Sequence, residues 1–541
     1  MAKLLVVTMF LGWIASAAPA GYVVRLLEDS TTEPEVIEVR DLPDQRRLAA
    51  TDLEPWPLFL AEDRPLQGPW VREVVVDDPR PYLALLDQSE PLEEPHEVRT
   101  LVDQGPLANR IDLVIIGDGY LEEEKERFFG DAERIVEGLF GQSTFASYRP
   151  LFNVHAVFYP SKTSGIGDGS PKDTAFRLYR DSTARQAIYL GNTSMANKVL
   201  ALAPQCDYPI VVANDPLYGG LGGQYAITTN SLQSAMIVLR HELGHNFGKV
   251  GEEYDGGQAY FGANHSASTT VSWLHWWTAQ QTVSTASLHH LAAPWKNLLE
   301  GPYQVTFEHK AEQPRRYLLD FNTTGTATPK DLRLELDGRV VTYAGIFSTD
   351  RNFYRVFLPG ELRGGTHRLS FTEGVPDGDN ILAKVHLHGL PPGYATDPPS
   401  IGAYATYRAG GSLVGYRPTH ATCLMRDMLS DSFCPVCIEN IWLKFLAKVS
   451  LIDALDTSTA PGGHEVRLRT PDLCGCGTGG KAVLKVRWLR EGSQVPAFDD
   501  EKVVRIPTEL GGKWRVEVRF LTPEIRQDPK NLTLDGADFS L

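Results

Sequence analysis

The pentapeptide HELGH at residues 241–245 constrains the fold of this chain more than any other segment. Residues 232–240, which precede it, are mostly apolar and contain neither glycine nor proline, so they predict a helix that continues through the motif. Residues four apart on a helix share one face, and His241 and His245 would therefore direct two imidazoles at one point, with Glu242 beside them. Zinc hydrolases use this arrangement, whereas a polar helix end is the plainer alternative.

A zinc hydrolase needs a third protein ligand and one open position for water. In the pattern HExxHxxGxxH a glycine turns the chain and a third histidine completes the site. Gly248 fits the glycine here, but Gly251 stands where the third histidine would be. Glu252 and Glu253 follow directly, and a carboxylate oxygen is an acceptable zinc ligand. We expect one of the two to be the third ligand, with Glu253 slightly favoured over Glu252; a remote Glu or His is the alternative.

Glu242 is the candidate general base at the predicted zinc site. A zinc ion lowers the pKa of a bound water to about 7, and a neighbouring carboxylate can then accept its proton. We expect Glu242 to accept that proton and to pass it to the leaving amine of a cleaved peptide. A group that stabilises the oxyanion is also expected, and the candidates are Tyr254, Tyr407 and Tyr416, each of which could instead be a packing residue.

A glycine-rich segment, residues 217–225, lies shortly before the predicted helix. Its glycines permit close approach of another backbone and unusual dihedral angles. The sheet is expected to resume directly after it, and an edge strand at this position pairs with extended substrate in zinc peptidases. We therefore assign substrate binding to Tyr218, Gly219 and Gly220, together with Tyr416; a flexible turn is the alternative.

Length and charge limit the classes of partner. A chain of 541 residues indicates three or four domains. Its 52 Lys and Arg residues against 68 Asp and Glu give a net charge of −16, which argues against binding to nucleic acid or to an anionic membrane surface. No apolar run beyond the N-terminus is long enough to cross a bilayer, so no transmembrane segment is expected. The oligomeric state is left open.

The N-terminus has the pattern of a secretory signal peptide over residues 1–20. Lys3 supplies a positive start, residues 4–14 form a short apolar core, and small residues suited to cleavage follow. The mature chain is therefore expected to be secreted and extracellular. A buried N-terminal strand is the alternative interpretation.

Six cysteines could form up to three disulfides in an oxidising compartment. Cys434 and Cys437 could also be a redox pair or half of a zinc site, but the secretory context favours a structural disulfide. Four glycosylation sequons would be used only in a eukaryotic source. The cysteines are Cys206, Cys423, Cys434, Cys437, Cys474 and Cys476, and the sequons begin at Asn192, Asn264, Asn322 and Asn531.

The pattern of strands and helices predicts several domains behind the signal peptide. Strands alternate with helices after residue 100, including a helix across 183–203, and this pattern is typical of an α/β domain. Elsewhere the pattern alternates as in β-strands. The predicted domains are a β-rich domain at 21–100, the first part of a catalytic domain at 101–300, an inserted β-sandwich at 301–395, the second part of the catalytic domain at 396–450, and an immunoglobulin-like β domain at 451–541.

Several motifs extend the pattern beyond HELGH. They are GDGY at 117–120, FNVHAVFYPS at 152–161, YGGLGG at 218–223, HELGHNFGKVGEEY at 241–254, GYRP at 415–418 and CLMRDMLSDSFCPVC at 423–437. Together they resemble the IgA-peptidase family of zinc metallopeptidases over about residues 101–300 and 396–450.

The resemblance implies an α/β (α+β) metzincin-like peptidase domain, here with additional β-sandwich domains. It also implies endopeptidase activity on proteins with zinc as cofactor, and a Met-turn role for Met425 as an apolar floor beneath the metal. The chain departs from the family's LADEY-like segment, because Glu252 stands where Asp is expected. The inserted sandwich is not part of the family core, and immunoglobulin A is not implied as the substrate.

The leading interpretation is a secreted zinc endopeptidase that hydrolyses protein or peptide substrates. One alternative is a secreted binding or adhesion protein with an inactive peptidase scaffold, although the intact His241, Glu242 and His245 argue against it. Another alternative is a zinc amidase acting on glycan or peptidoglycan, which a narrow pocket would favour.

Overall fold

The computed structural model divides the chain into two compact units, Met1–Trp56 with Pro69–Pro91, and Pro57–Gly68 with Leu92–Leu541. The predicted signal peptide, Cys474 and Cys476 lie outside the residues that the structure describes. Those residues are 22–28, 35–41, 70–76 and 95–541, the last without 142–144, 183–184, 258, 279–285, 313–314, 361, 393, 395–399 and 474–481.

The first unit contains an antiparallel sheet of three strands. They are β1 (Tyr22–Glu28), β2 (Glu35–Asp41) and β3 (Trp70–Val76). Their order is β2-β1-β3, so β1 pairs with both neighbours. The strands fall within the β-rich region predicted over residues 21–100.

A mixed six-stranded sheet with helices on both faces opens the second unit. Its elements, with a small three-stranded sheet β7-β8-β9, are β4 (Glu97–Val102), β5 (Ile111–Asp118), α1 (Lys125–Phe140), β6 (Phe152–Phe158), β7 (Gly167–Asp168), β8 (Tyr179–Arg180), β9 (Ile188–Tyr189), α2 (Thr193–Leu200), β10 (Tyr208–Ala213), β11 (Gly220–Leu221), β12 (Ala226–Thr229) and α3 (Ala235–Gly248). The order of the large sheet is β11-β12-β10-β5-β6-β4. Its inner strands are parallel, whereas β11 and β4 at the two edges are antiparallel to their neighbours.

Side chains of β5 alternate between the two faces of this sheet, as a strand buried on both sides requires. Leu113 and Ile115 belong to the core that includes α1 and α3, whereas Val114 and Ile116 belong to the core that includes α2. The mixed α/β class predicted from the sequence is confirmed.

The helix predicted across residues 183–203 is wrong in extent. Among the described residues of this segment, β9 comes first and α2 covers only eight residues. The reason is a local cap, because the Asn192 side chain accepts a hydrogen bond from the Met195 N–H at 3.1 Å and starts the helix there.

Two antiparallel sheets share one core and form a sandwich. They lie between the two parts of the domain that the sequence predicts to be catalytic, which is called the peptidase-type domain below. The strands of the sandwich are β13 (Ser287–Ala292), β14 (Lys296–Asn297), β15 (Tyr303–His309), β16 (Arg316–Thr324), β17 (Leu332–Leu336), β18 (Arg339–Val340), β19 (Asn352–Phe357), β20 (Gly365–Glu373) and β21 (Ile381–Leu390). One sheet has the order β13-β21-β16-β19, with β14 also paired to β21, and the other has the order β15-β20-β17-β18. Because β13 pairs with β21, the sandwich begins before the predicted boundary at residue 301.

A hairpin, a tight turn and a helix follow, and two further sheets end the chain. The elements are β22 (Ile401–Tyr407), β23 (Leu413–Thr419), α4 (Pro435–Leu446), β24 (Ala454–Ala460), β25 (Gly463–Arg469), β26 (Val483–Arg490), β27 (Ser493–Gln494), β28 (Val503–Pro507), β29 (Lys513–Leu521) and β30 (Leu534–Ser540). The last two sheets have the orders β24-β25-β28 and β27-β26-β29-β30. Their buried residues belong to one hydrophobic core with α4. The immunoglobulin-like assignment of this region stays a prediction.

None of the helices in the described part of the chain has the length and apolar character needed to cross a lipid bilayer.

Candidate metal centre

The HELGH motif lies at the buried end of α3, which packs against β12 of the large sheet. The imidazole centroids of His241 and His245 are 5.0 Å apart. The helix ends at Gly248, and Lys249 adopts the left-handed conformation with φ 52°. The turn back towards the histidines is thus made at Lys249 and not at Gly248, which is still helical and where a Cβ would lie 2.9 Å from Ile441.

Glu252 is the carboxylate that the turn brings to both histidines. Its Oε1 lies 3.1 Å from Nε2 of His245, and its Oε2 lies 3.3 Å from Nε2 of His241. All three side chains are buried, and their potential ligand atoms lie within 4.8 Å of one another. Glu253 faces away from this point, so the geometry reverses the slight preference for Glu253 stated from the sequence. The backbone holds the two residues in different surroundings, because the Glu252 N–H donates to the Ala259 carbonyl and the Glu253 N–H donates to the Met425 carbonyl.

Backbone carbonyls orient the two imidazoles. Nδ1 of His245 lies 2.7 Å from the Val250 carbonyl oxygen, and Nδ1 of His241 lies 3.1 Å from that of Leu424. Since a carbonyl only accepts hydrogen bonds, each Nδ1 carries the proton that it donates, which directs Nε2 towards Glu252.

The donor set fits a catalytic zinc ion. Burial would lower the pKa of His241, but the Glu252 carboxylate outweighs this effect and raises the pKa to about 9. Burial would likewise raise the pKa of Glu252, but the two imidazoles lower it to about 2. The carboxylate therefore favours a positive charge between these groups. Two imidazole nitrogens and one carboxylate oxygen are the ligands of many catalytic zinc sites, where they leave one position open.

Glu242 is buried beside the histidines, and neither of its carboxylate oxygens has a hydrogen-bond partner. Burial raises its pKa to about 7, although His241 and His245 act in the opposite direction. Gly222 makes room for the carboxylate, because a Cβ at that glycine would lie 2.3 Å from Oε2 of Glu242. A carboxylate with these properties can exchange protons near neutral pH.

Met425 lies in a tight turn that passes below α3. A Cβ added at Gly244, between the two histidines of the motif, would lie 2.7 Å from Sδ of Met425. The same turn accepts a hydrogen bond at the Met425 carbonyl from the Glu253 N–H at 2.9 Å. The position of Met425 agrees with the apolar floor implied by the family resemblance; its Met-turn role stays a prediction.

The predicted substrate-binding residues are divided between two places. Tyr218 is buried at the edge of the large sheet, and its N–H donates to Oδ1 of Asp350 in the inserted sandwich at 2.6 Å. Gly220 belongs to the edge strand β11, but its N–H donates to the Gln186 carbonyl at 2.9 Å. The glycine-rich segment is therefore an edge strand that is partly covered, and Gly219 lies between these two contacts.

The three candidate tyrosines are also separated. The Tyr254 ring lies 6.4 Å from that of His241. Tyr416 lies on β23, where its backbone pairs with Ser266, and its side chain packs on the main core. The Tyr407 hydroxyl donates to the Ala286 carbonyl at 2.6 Å. Only Tyr254 of these three lines the cleft described next.

An open cleft lies beside His241. One wall comes from the peptidase-type domain and the other from β16, β19 and β21 of the inserted sandwich. The residues along it are Tyr218, His241, Tyr254, Leu424, Arg426, Asp427, Met428 and Leu429 on one side, and Asp320, Asn322, Phe353, Tyr354, Arg355, Lys384 and His386 on the other. The sandwich is thus part of the cleft, which the sequence analysis did not anticipate.

Ion pairs join the sandwich to the peptidase-type domain along this cleft. Arg355 donates to Oδ1 of Asp320 at 2.7 Å and to Oδ2 of Asp427, beyond the Met425 turn, at 2.6 Å. The buried Asp255 lies 3.0 Å from Nε2 of His388 on β21 and 3.3 Å from Nη2 of Arg426. No spacing in the sequence signals these pairs, since their members are far apart along the chain.

The structural disulfide favoured from the sequence, whose pairing was left open, is not found among the four cysteines that the structure describes. The four described cysteines, Cys206 among them, are not bonded to one another, and the Sγ atoms of Cys423 and Cys437 lie 3.8 Å apart.

The sequon at Asn264 is unsuited to glycosylation in the folded chain. Its side chain is buried and donates to the Gly251 carbonyl at 2.8 Å.

Comparison with protein families matches part of this chain to one family model. Residues 100–317 match the family model described as IgA Peptidase M64. Comparison with curated proteins gives no match. Among solved structures, a cycloisomaltooligosaccharide glucanotransferase of Paenibacillus sp., complexed with cycloisomaltoheptaose, is 10% identical with a TM-score of 0.12. That comparison covers 64% of this chain and 55% of the glucanotransferase, and it carries no argument about fold or activity.

The M64 match includes the glycine-rich segment, the HELGH motif and Glu252. The resemblance recognised from the motifs is therefore confirmed over residues 100–317, which match the IgA peptidase M64 family model.

Proposed function

We propose that this chain is a zinc-dependent endopeptidase that hydrolyses peptide bonds of protein substrates. The observation that carries the proposal is the convergence of His241, His245 and Glu252 on one buried point within an M64 segment. These residues would hold the zinc ion. The chemistry that zinc supplies when bound is activation of a water molecule and polarisation of the substrate carbonyl.

Glu242 is the general base in this proposal. Its buried carboxylate, without a hydrogen-bond partner, accepts the proton of the attacking water and passes it to the leaving amine. The carbonyls of Val250 and Leu424 keep the two imidazoles in the orientation that the site needs. Tyr254 is the candidate that helps to stabilise the oxyanion, because it lines the cleft next to His241.

The cleft supports an extended polypeptide rather than a small molecule as the substrate. It is open, and it continues from His241 between the sandwich and the turn at Met425. Tyr218 lines the cleft, but the N–H groups of Tyr218 and Gly220 are bonded to Asp350 and Gln186, so the cleft itself, rather than pairing at Tyr218, Gly219 and Gly220, supports this choice. We further propose a metzincin-like arrangement, secretion directed by residues 1–20, and zinc as the physiological metal.

Zinc content and casein hydrolysis, measured on the purified full chain and on two variants, test the proposal. Glu242→Gln should keep its zinc but lose hydrolysis by a factor of about 10² or more, because it removes the base and keeps the shape. Glu252→Ala should lose zinc at this site and also lose hydrolysis, because only two ligands remain. Glu133→Gln, on the exposed side of α1, is the control and should behave as the wild type.

Each failure has a distinct meaning. If Glu242→Gln hydrolyses casein as fast as the wild type, the assignment of the base is wrong. If Glu252→Ala keeps its full zinc content, the proposed third ligand is wrong. Absence of zinc from protein kept free of chelators would favour a binding or adhesion protein with an inactive scaffold. Zinc without proteolysis, but with hydrolysis of peptidoglycan, would favour the amidase.

A further inference from the structure

Three cysteines and one glutamate form a second buried cluster in the peptidase-type domain. Cys423 precedes the Met425 turn, while Cys434 and Cys437 lie at the start of α4. Glu253 points into this group from the opposite side. Like the histidine site, the cluster brings its potential ligand atoms within 4.8 Å of one another, and all four side chains are buried.

The spacing within the cluster is that of a tetrahedral metal site. With metal–sulfur bonds of about 2.3 Å, two sulfurs on a tetrahedral zinc ion lie about 3.8 Å apart, and a sulfur and a carboxylate oxygen lie about 3.5 Å apart. Sγ of Cys423 lies 3.8 Å from Sγ of Cys437. Oε1 of Glu253 lies 3.5 Å from Sγ of Cys437 and 4.0 Å from Sγ of Cys434.

The surroundings orient the ligands in the manner of a metal centre. The Cys434 backbone N–H donates to Sγ of Cys423 at 3.3 Å, and the Asn264 amide donates to Oε1 of Glu253 at 3.0 Å. Oε2 of Glu253 is buried and has no hydrogen-bond partner. A buried carboxylate with an unsatisfied oxygen next to three thiols is costly unless a proton or a cation neutralises it, and a cation would also engage the three sulfurs.

We propose that Cys423, Cys434, Cys437 and Glu253 form a second metal site, which takes a divalent zinc-like cation. Soft thiolates favour such ions, and four protein ligands make this a closed, structural site rather than a catalytic one. Each thiol releases its proton to solvent as it becomes a ligand. The site does not depend on the proposed peptidase activity.

This second site stabilises the active-site segment that holds Glu252. Glu253 is the next residue along the chain, and its fixed position limits where Glu252 can lie. The cation would also join that segment to the Met425 turn and to the first turn of α4. A disulfide between Cys434 and Cys437 would lie within the first turn of α4 and would join none of these elements to another.

Cobalt substitution of the full chain tests the proposal. Thiolate ligands give Co²⁺ an intense charge-transfer absorption in the near ultraviolet, which a site of two histidines and a carboxylate does not give. The chain is reduced with a phosphine, freed of metal by a chelator, desalted and titrated with Co²⁺. The band should appear in the wild type and in the double variant His241→Ala/His245→Ala, and the wild type should bind one more equivalent than this variant.

Two cysteine variants test which thiolates give rise to the charge-transfer absorption band. Cys437→Ser should lose most of its intensity, whereas Cys206→Ser, which lies outside the cluster, should keep it. Asn264→Ala covers the case in which Cys437→Ser fails to fold. It leaves all four ligands in place but removes the hydrogen bond to Glu253, and it should weaken Co²⁺ binding about 10- to 100-fold.

The proposal is overturned if the reduced, folded wild type shows no thiolate band, or if Cys437→Ser keeps the band. It is also overturned if the band disappears in the histidine double variant while its circular dichroism is unchanged. Should Cys437→Ser not fold, unchanged Co²⁺ affinity in Asn264→Ala overturns it. Because the readout is a thiolate band and not hydrolysis, failure here is distinct from failure of the peptidase proposal.

Discussion

Gly222 leaves space that Glu242 needs, since a Cβ at this glycine would lie 2.3 Å from the carboxylate. Gly222→Ala should therefore displace Glu242 and lower kcat on the order of 100-fold, with little change in zinc content. The measurement is casein hydrolysis with parallel metal analysis. Gly130→Ala on α1 is the matched control, because nothing lies within 4 Å of its added Cβ, and its activity should be unchanged. Equal activity in both variants would contradict the role given to Gly222.

Met425 supports the metal centre through packing against α3. Truncation by Met425→Ala removes buried volume beneath Gly244 and should lower the free energy of unfolding by about 2–5 kcal/mol. Met425→Leu keeps most of the volume and should cost less than about 1.5 kcal/mol. Urea unfolding of both variants gives the comparison. Similar losses in the two would mean that the sulfur, rather than the filled volume, is what the site requires.

At the residue scale, the sequence predicted the pair of histidines and the base because their spacing is fixed by helical periodicity alone. It slightly favoured Glu253, whereas the geometry favours Glu252, because that choice depends on the turn at Lys249 and on the direction of the chain after it. The role of Gly222 could not be predicted from the sequence. Gly222 and Glu242 lie on two segments whose relative position depends on the fold.

At the scale of secondary-structure elements, Arg355 of β19 is the main polar contact between the sandwich and the turn that carries Met425. Arg355→Ala should remove charged hydrogen bonds to Asp320 and Asp427 and lower the free energy of unfolding by about 1.5–3 kcal/mol. KM for casein should rise more than kcat falls, because the sandwich wall of the cleft is loosened. Urea unfolding and steady-state kinetics test the two effects.

The control for this prediction is Arg333→Ala on β17. Arg333 is more than half exposed and pairs only with Glu335 of its own strand, so its loss should cost at most about 1 kcal/mol. If Arg333→Ala and Arg355→Ala have the same effect on KM, the wall is not held by the Arg355 ion pairs.

Most elements could be predicted from hydrophobic periodicity, and the failures have local causes. The buried strand β5 and the helices α1 and α3 follow from apolar runs and 3.6-residue spacing. The helix predicted over 183–203 is too long, because the Asn192 cap fixes the start of α2. In a short segment, a side-chain hydrogen bond to the backbone can set the helix boundary against the apolar pattern.

At the scale of the whole second unit, the C-terminal sheets and α4 share one core. The Trp442 ring of α4 lies 4.9 Å from Phe520 of β29, and its Nε1 donates to Glu524 at 2.6 Å. Phe520→Ala should therefore lower the free energy of unfolding by about 3–5 kcal/mol and destabilise the peptidase-type domain together with the C-terminal sheets.

Calorimetry combined with loss of casein hydrolysis on heating tests this prediction. In the variant, both transitions should shift downward by similar amounts. A lower transition for the C-terminal sheets alone, with the temperature of inactivation unchanged, would show that the appendage folds independently of the site.

Domain boundaries were harder to predict than the strands themselves. An alternating pattern predicts a β-strand but does not determine which sheet the strand joins. For this reason the sequence assigned β13 to the peptidase-type domain, whereas β13 pairs with β21 of the sandwich. The cleft that the sandwich shares with His241 could not be predicted for the same reason, because it is formed by segments distant in the sequence.

Glu252 belongs to the histidine cluster and Glu253 to the cysteine cluster, so the number of residues between Gly251 and Tyr254 decides whether both clusters keep their carboxylate. Inserting or deleting one residue between Gly251 and Tyr254 would exchange the two sides, as a one-residue slip does in a strand. A carboxylate would then be lost from one cluster or the other, even if every side chain of the motif were retained. Among related chains, changes in the length of this segment should therefore be as rare as the loss of either carboxylate.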